Sequence, residues 1–332
     1  MNQVRAGRGV LLAFLLSGAL ATGTLGDAPA AHATCLSAFG LGSGGDCKSN
    51  LTSIAVAIGP GATADASDGL FSGAVAIGAG ANSATSFSLL SLALAAGDKA
   101  KASNLTSILS LAQQIGTGDA ATVGLLDFAI GVLAGTTAPQ STGAAGVGDL
   151  SVQFGPGHVT NLGALNVALA AGRGGDGTRA ASASGFGSWA INIGHAGTAS
   201  TLGFLTGAAN ILGASTEQAQ GIVAAAVNLL GDGNNMSTVE GPFPNSTFSL
   251  AFNISGHGNT VTAGPGPFAI AGAVSQSLQT ISRSAPGISI NKVSVGLAAV
   301  GSQKNASPSA AAHAGGAETT RQTAASGRHH AG

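Results

Sequence analysis

The ionisable side chains that could support catalysis are few, and several lie in one stretch of the sequence. Asp149, Arg173, Asp176 and Arg179 combine two carboxylates with two basic groups. Glycan-cleaving enzymes built on β-helices use clustered carboxylates of this kind as acid, base or nucleophile. The same residues are also explained as solvated charges at the corners of a repeat, with no catalytic role. We therefore expect a protein that is not an enzyme, with a carbohydrate-active β-helix enzyme as the alternative.

Three histidines, His158, His195 and His257, each follow a glycine and would suit a metal site if the fold stacked them. His158 lies three residues after its glycine, whereas the other two lie one residue after theirs, so stacking would not align the rings. We expect exposed histidines and no metal site. His329 and His330 near the C-terminus would bind a metal only weakly.

Two glycine-rich motifs are similar to cofactor or ion sites. Residues 40–45 match the G-x-G-x-x-G pattern of dinucleotide-binding proteins, but no predicted strand precedes them. Residues 174–177 match one turn of a calcium-binding repeat, but such sites need stacked copies. The sequence therefore predicts no cofactor.

The N-terminal residues have the three parts of a secretory signal peptide. Arg5 and Arg8 precede the apolar residues 10–20, and Ala31-His32-Ala33 is a small-residue cleavage site. We expect cleavage after Ala33 and a secreted or cell-envelope location. An uncleaved N-terminal membrane anchor is the alternative.

The two cysteines, Cys35 and Cys47, both follow this signal peptide. In an oxidising compartment they are expected to form one disulfide, which closes an N-terminal cap over residues 34–50. A redox role is disfavoured because the spacing is not C-x-x-C.

An internal repeat organises most of the remaining chain. Each unit has a short alternating apolar segment, a glycine at a turn and a small, polar second segment. The first five turn glycines follow one another at 19 residues, and the later ones at 17 to 25 residues. The repeat corners are Gly59, Gly78, Gly97, Gly116, Gly135, Gly155, Gly172, Gly194, Gly213, Gly231 and Gly256.

The repeat has the features of a coil. Alternation places Ile54, Val56 and Ile58 on one apolar face of a strand, and the corner glycine allows a sharp bend. Stacked coils would bury this face in a continuous core, which alanines of the second segment keep narrow. The sequence thus predicts an all-β parallel β-solenoid (a β-roll or β-helix) of about 19-residue coils over residues 51–301. An irregular β-sandwich is the alternative.

Three asparagines lie at one position of successive units. Asn210, Asn228 and Asn253 each come three residues before a corner glycine, where earlier units have Val56 and Val75. Stacked asparagines can form an amide ladder in which each side chain bonds the next. Alternatively, the local register shifts and these side chains face water.

Three segments depart from the repeat. Residues 215–230 have apolar side chains at helical spacing, with Ser215 and Gly231 as caps, and are predicted as a short helix or as a further coil. The prolines of residues 241–245 predict a loop. Residues 302–332 have no periodicity and are expected to form a disordered tail.

Composition excludes several classes of protein. The chain has 54 glycines among 332 residues, no tyrosine and 8% charged residues. Disordered chains are more polar and more charged, so we expect an ordered protein. A net charge of −1 without a basic stripe argues against nucleic-acid binding. After the signal peptide, no apolar stretch reaches the roughly 20 residues of a transmembrane helix.

Residues 53–64 and 73–81 resemble the head repeats of YadA-like trimeric autotransporter adhesins, and residues 188–199 do so in part. This resemblance implies a left-handed parallel β-roll that trimerises and binds host surfaces. The repeat is longer than in that family, and no heptad stalk or membrane-barrel strands are recognisable. The alanine- and glycine-rich exported composition is also similar to that of actinobacterial, particularly mycobacterial, proteins.

These observations favour a secreted or cell-surface structural or adhesive repeat protein. Its expected partners are further copies of itself, as a homotrimer, or a surface glycan or matrix protein. A self-assembling envelope protein is a further alternative.

Overall fold

The computed structural model describes residues 34–43, 45–132, 140–172, 179–239 and 247–296. They belong to one compact unit, Met1–Leu297, and the second unit, Ala298–Gly332, lies outside the described residues. The predicted signal peptide, the loop at 241–245 and the tail at 302–332 also fall outside them. The described residues form 29 strands and no helix.

Alternation of short apolar and polar segments separated by glycine turns yields strands of three to nine residues. In chain order they are β1 (Thr34–Ala38), β2 (Leu41–Ser43), β3 (Cys47–Ser49), β4 (Ile54–Ile58), β5 (Thr63–Ala66), β6 (Gly73–Ile77), β7 (Asn82–Ser86), β8 (Leu92–Ala96), β9 (Ala100–Ile108), β10 (Leu111–Ile115), β11 (Gly118–Leu125), β12 (Phe128–Val132), β13 (Gln140–Val147), β14 (Leu150–Phe154), β15 (Gly157–Ala164), β16 (Val167–Ala171), β17 (Arg179–Phe186), β18 (Trp189–Ile193), β19 (Gly197–Phe204), β20 (Gly207–Ile211), β21 (Thr216–Ile222), β22 (Ala225–Leu229), β23 (Asn235–Thr238), β24 (Leu250–Ile254), β25 (Thr260–Ala263), β26 (Ala269–Val274), β27 (Thr280–Arg283), β28 (Gly287–Ile290) and β29 (Val293–Gly296).

The strands stack into two sheets, which confirms the predicted parallel β-solenoid. Sheet A has 16 strands, namely β1, β2, the even-numbered strands from β4 to β28, and β29. Sheet B has 13 strands, the odd-numbered ones from β3 to β27. Each coil contributes one strand to each sheet. We call the turn after a sheet A strand the first corner and the turn after a sheet B strand the second corner.

The register of the stack is regular from coil to coil. Ile54 pairs with Gly73, which pairs with Leu92, which pairs with Leu111, so the coils advance by the predicted 19 residues. All neighbouring strands are parallel except at the two ends of sheet A. There β1 runs antiparallel to β4 and β2, and β29 runs antiparallel to β28. These reversed strands cover both ends of sheet A.

The interior is lined by small residues, which corrects the predicted core. Ala55 and Ala57 are fully buried inside the coil, whereas Ile54 and Ile58 are more than 40% exposed on the outer face. Sheet B also turns alanines such as Ala64 inward. Alanine takes most of the inner positions of both sheets, and larger side chains such as Gln114, Glu217 and Met236 take some of the others. The larger aliphatic residues of each sheet A strand face outward.

The alanine core is interrupted near its middle. One buried cluster extends from Cys35 to Ala112 and another from Val159 to Ile281, with only Ala120, Ala129 and Ala144 between them. Polar side chains take the inner positions of the intervening coils, and several have a buried atom without a hydrogen-bond partner among the described residues. These side chains are Asn104, Gln114, Thr142, Asp149, Gln153 and Asn161.

Most predicted corner glycines end sheet A strands. Seven of them, Gly59, Gly78, Gly97, Gly116, Gly155, Gly172 and Gly194, come directly after a strand. Gly213, Gly231 and Gly256 come one residue later, after Leu212, Leu230 and Ser255, whose φ angles are 58°, 57° and 54°. Gly135 lies outside the described residues.

The predicted helix at residues 215–230 is wrong, and the alternative of a further coil is correct. These residues form β21 and β22, which pair in register with the strands of both neighbouring coils. Glu217 and Ala219 turn inward with a period of two, and Val223, at φ 54°, makes the second corner. Pairing with both neighbours outweighed the helical spacing of the apolar side chains.

Candidate functional site

The four residues considered for catalysis do not form a common site in the described part of the chain. Asp149 precedes β14 at the second corner, whereas Arg179 begins β17 at the first corner. The length of a sheet A strand therefore separates them. Both side chains are almost fully buried, and the Nε of Arg179 donates to the carbonyl oxygen of Gly194 at 2.6 Å. Arg173 and Asp176 lie outside the described residues.

The histidines are also dispersed. His158 lies on the outer face of β15, and His195 and His257 lie at first corners in different coils. Within the described ranges, no group of three or more histidine, cysteine, aspartate or glutamate side chains could hold a metal ion. His329, His330 and residues 174–177 fall outside those ranges.

The cysteines form the predicted disulfide between β1 and β3, with a Cα–Cα distance of 5.7 Å. Both are more than 90% buried. The glycine-rich residues 40–45 between them follow β1 and contribute the antiparallel β2, with Gly44 outside the described residues. This differs from the strand–turn–helix geometry in which a dinucleotide motif works.

A column of buried polar residues runs along the second corner, one per coil, directly before each sheet A strand. Several side chains accept the backbone N–H of the next member of the column, as Asp149 Oδ1 does from Asn166 at 2.8 Å and Asn166 Oδ1 from Ser188 at 2.9 Å. The column consists of Ser53, Ser72, Ser91, Ser110, Asp127, Asp149, Asn166, Ser188, Thr206 and Ser249, and the apolar Ala224 takes this position in one coil.

Two adjacent members of this column are carboxylates. Asp127 accepts the N–H groups of Asp149 and Gly146 at 2.9 and 3.1 Å. Burial raises its pKa, and these hydrogen bonds oppose the rise. Burial and then the nearby charge of Asp127 raise the pKa of Asp149 to about 6, against hydrogen bonds from Asn166. Because both carboxyl groups are fully buried, a substrate cannot reach them without opening of the corner.

Glu217 is a second buried acid that the sequence analysis did not single out. It lies on the inner face of β21, is 0% exposed, and has no hydrogen-bond partner for either carboxyl oxygen among the described residues. Desolvation raises its pKa to about 9, so the side chain is protonated at neutral pH. The alternation along its strand, which puts Glu217 on the same face as Ala219, was the signal that could have identified it as buried.

The predicted asparagine ladder is confirmed, with Asn192 as an additional member. Asn210, Asn228 and Asn253 donate to the side-chain oxygen of the preceding asparagine at 3.1, 3.0 and 2.7 Å. All four are 0% exposed. In the sheet they occupy the inward-facing position of Ala57, whereas the sequence alignment had placed the three predicted members at the outward-facing position of Val56. The alignment was off by one residue because the later corner glycines come one residue after the corner itself.

The outer face of sheet A is apolar along its whole length. Each strand from β4 to β28 presents up to three side chains outward, and these are nearly all aliphatic or aromatic, with Gln113 as a polar exception. No charged residue occurs in these strands. A stack of this many strands, each of about five residues, covers on the order of 60 Å by 15 Å. The largest contiguous apolar patch on a typical monomer is smaller, about 300–600 Å².

Two aromatic rings of this face lie over glycines of the next coil. The indole of Trp189 lies over Gly207 in the next coil, where a Cβ atom would come within 2.1 Å of the ring. The ring of Phe252 lies over Gly272 in the same way, also at 2.1 Å. Each large ring is thus accommodated beside a residue without a side chain.

Bulky apolar residues also occupy the second corner, directly before the buried polar column. Nine of them have φ between 52° and 60°, the left-handed region that glycine favours. Their side chains stack on the preceding coil, as Leu205 does on Gly187. Phe186 stacks on Phe204 and Phe248 on Phe268, with centroid distances of 5.3 and 5.0 Å. The nine are Phe71, Leu90, Leu109, Leu126, Leu165, Leu205, Val223, Phe248 and Phe268.

A groove lies where this corner meets the outer face of sheet A. Its volume is about 440 Å³. Trp189 and Leu250 stand at its two ends, and the smaller Gly207 and Ala225 lie between them, which makes the depression. Leu205, Val223, Phe248, Phe268 and Ile270 complete the apolar lining.

The outer face of sheet B has the opposite character. In its first half it carries two ion pairs, Lys48–Asp65 at 3.9 Å and Lys101–Asp119 at 3.8 Å. From β17 to β27 two of the outward columns are uncharged and rich in hydroxyl and amide groups, and a third, in the longer strands, contains Ser184, Leu202 and Gln220. The first two columns contain Ala180, Ser182, Thr198, Ser200, Thr216, Gln218, Asn235, Ser237, Thr260, Thr262, Thr280 and Ser282.

Comparison with known proteins identified no relative. No protein-family model, no curated protein and no solved structure matches the chain. None of the described residues forms a helix that is long and apolar enough to span a membrane.

Proposed function

We propose that this chain is an exported structural or adhesive surface protein without catalytic activity. The observation that carries the proposal is the separation of two long, flat faces, one apolar and one rich in hydroxyl groups. Flat faces of this size suit contact with extended surfaces or polymers, whereas small substrates bind in concave sites. The predicted signal peptide and the Cys35–Cys47 disulfide support function in an oxidising compartment outside the cytoplasm.

The adhesive contact is assigned to the outer face of sheet B from β17 to β27. This face presents neutral donors and acceptors at the regular strand spacing of about 4.8 Å. Neighbouring hydroxyls bond one another, as those of Ser237 and Thr262 do at 3.2 Å, which restricts the positions of these groups. An uncharged hydroxyl array favours a neutral surface glycan over a nucleic acid or a strongly charged matrix protein.

A binding experiment with matched variants tests this proposal. The full chain, exported so that the disulfide forms, is applied to arrays of neutral glycans and matrix proteins. Replacing Thr198, Thr216 and Thr260 by valine removes three hydroxyls and keeps the side-chain shape and strand preference. We expect at least a tenfold weaker affinity for the bound glycan. The control Gln113→Leu, on the opposite face, should bind like the parent protein.

Absence of binding to every glycan and matrix component would contradict the adhesive role. Equal binding by the triple valine variant would contradict the assignment to this face. A carbohydrate-active enzyme is not favoured, because Asp127 and Asp149 are buried and Arg179 lies at the other corner.

A further inference from the structure

We infer that the outer face of sheet A is covered by the same face of a second copy of this chain, in a sheet-on-sheet dimer. Packing within one chain does not explain why this face is apolar, because the solenoid interior is already filled by the inward-facing side chains of both sheets. Ile54, Ile58, Leu92, Phe128 and Phe154 are between 39% and 46% exposed on it. Side chains of this kind belong in a core, and the described residues provide no core for them.

The area of the face matches what a stable dimer requires. Two copies packed through sheet A would each bury on the order of 1,000 Å², estimated from the strand spacing and rise. The total of about 2,000 Å² lies at the upper end of standard protein–protein interfaces and within the range of obligate homodimers.

The chemistry of the face favours a copy of itself over a charged or polar partner. None of its strands carries a charged residue, and a charged group placed against it would be desolvated without a counter-ion. A flat apolar sheet packs well on another flat apolar sheet at about 10 Å, with the side chains of the two faces interdigitating. The groove between Trp189 and Leu250 offers space for a large side chain of the other copy.

The ends of the solenoid favour this lateral contact over end-to-end growth. Sheet A is covered at one end by the antiparallel β1 and β2, and at the other by the antiparallel β29. The Cys35–Cys47 disulfide joins β1 to β3 at the first of these ends. Because both copies use the same face, the association is isologous and gives a closed dimer, not a fibre.

The mass of the exported full chain, measured by light scattering after gel filtration, tests the inference. We expect a dimer. The double variant Val152→Lys, Val227→Lys places two charges on the outer face of sheet A and should give a monomer with an unchanged far-UV circular dichroism spectrum. The control Ser182→Lys, Ser200→Lys places the same charges on sheet B and should remain a dimer. A monomeric, trimeric or larger parent protein would overturn the inference, as would a lysine variant that stays dimeric.

Trp189 gives a second readout that needs no folded variant. It is the only tryptophan in the chain and lies on the proposed interface, 36% exposed in the single chain. Dilution that dissociates the dimer should increase the acrylamide quenching constant of its fluorescence at least twofold. A quenching constant independent of protein concentration, over a range in which the mass changes, would contradict burial of this face.

Failure of the dimer and failure of the proposed function are distinguishable. A monomer that binds a neutral glycan would remove the dimer and leave adhesion standing. A dimer that binds no surface component would do the reverse.

Discussion

Asp149 and Asn166 occupy the same position in adjacent coils, and the carboxylate Oδ1 of the first accepts the backbone N–H of the second at 2.8 Å. The Nδ2 of Asn166 donates to the carbonyl oxygen of Gly185 at 3.0 Å. The Oδ2 of Asp149 corresponds to this nitrogen but has no partner among the described residues. An ionised carboxylate therefore places an acceptor where the neighbouring coil uses a donor.

Replacement of Asp149 by asparagine should therefore stabilise the protein at neutral pH. The pKa of Asp149 is raised from 3.8 to about 6 in the folded state. As the pH rises, the Asp149 carboxyl group loses its proton first in the unfolded chain. Its contribution to the free energy of unfolding therefore falls between about pH 4 and 6 and changes no further above pH 6. We expect Asp149→Asn to raise the free energy of unfolding by about 2 kcal/mol at pH 7.5 and to have little effect at pH 3.5. Urea unfolding at both pH values measures this.

Asp127→Asn is the matched comparison and should have the opposite effect at pH 7.5. Both carboxylate oxygens of Asp127 accept backbone N–H groups, so an amide nitrogen in place of one oxygen would face a donor. We expect a loss of about 1–3 kcal/mol. If both variants shift the unfolding midpoint in the same direction at pH 7.5, the different roles assigned to the two carboxyl groups are wrong.

Glu217→Gln should remove a second pH dependence. The pKa of Glu217 is raised from 4.5 to about 9, so stability is greatest below pH 4.5 and falls as the pH rises towards 9. The expected slope is about 1.4 kcal/mol per pH unit, or roughly 3 kcal/mol at pH 7. Thermal melts of the parent protein and the variant from pH 4 to 9 test this. The exposed-site control Asp119→Asn should leave the slope intact, and an equal slope in Glu217→Gln would refute the assignment.

The asparagine ladder should contribute to stability through its central member. Asn228 donates to the side-chain oxygens of Asn210 and Ser215 at 3.0 and 3.1 Å, and its own oxygen accepts from Asn234 and Asn253. Truncation to alanine leaves these buried groups unsatisfied and should cost about 2–4 kcal/mol in urea unfolding.

The control for this prediction is Asn82→Ala. Asn82 is exposed and donates to the hydroxyl of Thr63 at 2.8 Å, so its loss should change stability by no more than about 0.5 kcal/mol. Similar costs for the exposed and the buried asparagine would argue against a stabilising ladder.

Two glycines of β13 differ sharply in their tolerance of a side chain. Gly146 has a φ of 148°, and a Cβ atom there would lie 1.8 Å from the carbonyl oxygen of Gly163 in the next coil. Gly143, in the same strand, has no atom within 4 Å of its Cβ position. We expect Gly146→Ala to cost more than about 2 kcal/mol or to abolish folding, and Gly143→Ala to be neutral or slightly stabilising. Thermal melts of both variants decide this, and equal melting temperatures would contradict it.

The repeat made the solenoid predictable from the sequence, because corner glycines and alternating strands recur at nearly constant spacing. The spacing of Gly59, Gly78, Gly97 and Gly116 matches the register of the sheets, and the Cys35–Cys47 disulfide is present as predicted. The asparagine ladder was also predictable, since a single amide side chain at one register position has few other ways to be buried.

Other features depended on the distance between the two sheets, which no local pattern gives. Ala55 and Ile54 alternate equally well for either face, and only the narrow interior selects the alanine. Asn210 was aligned with Val56 although it shares the register of Ala57, because Gly213 comes one residue after the corner at Leu212. The segment with the buried acid Glu217, residues 215–230, was compatible with a helix or a coil because helical and strand periodicities overlap over a short segment.

The break in the alanine core divides the solenoid into two blocks, each with a continuous buried apolar cluster, joined by middle coils that have only three buried alanines. In a stack where each coil contacts only its neighbours, total stability is the sum of the stabilities of the coils and of the interfaces between neighbours. Cooperative unfolding of the whole stack therefore depends on every interface. The weakest link then sets how many independent melting units the molecule has. The coils between Ala112 and Val159 are that link, so the ends, which carry the reversed strands, should outlast the centre. The solenoid should therefore unfold as two cooperative units. Insertion or loss of a coil should cost the least stability in the middle coils.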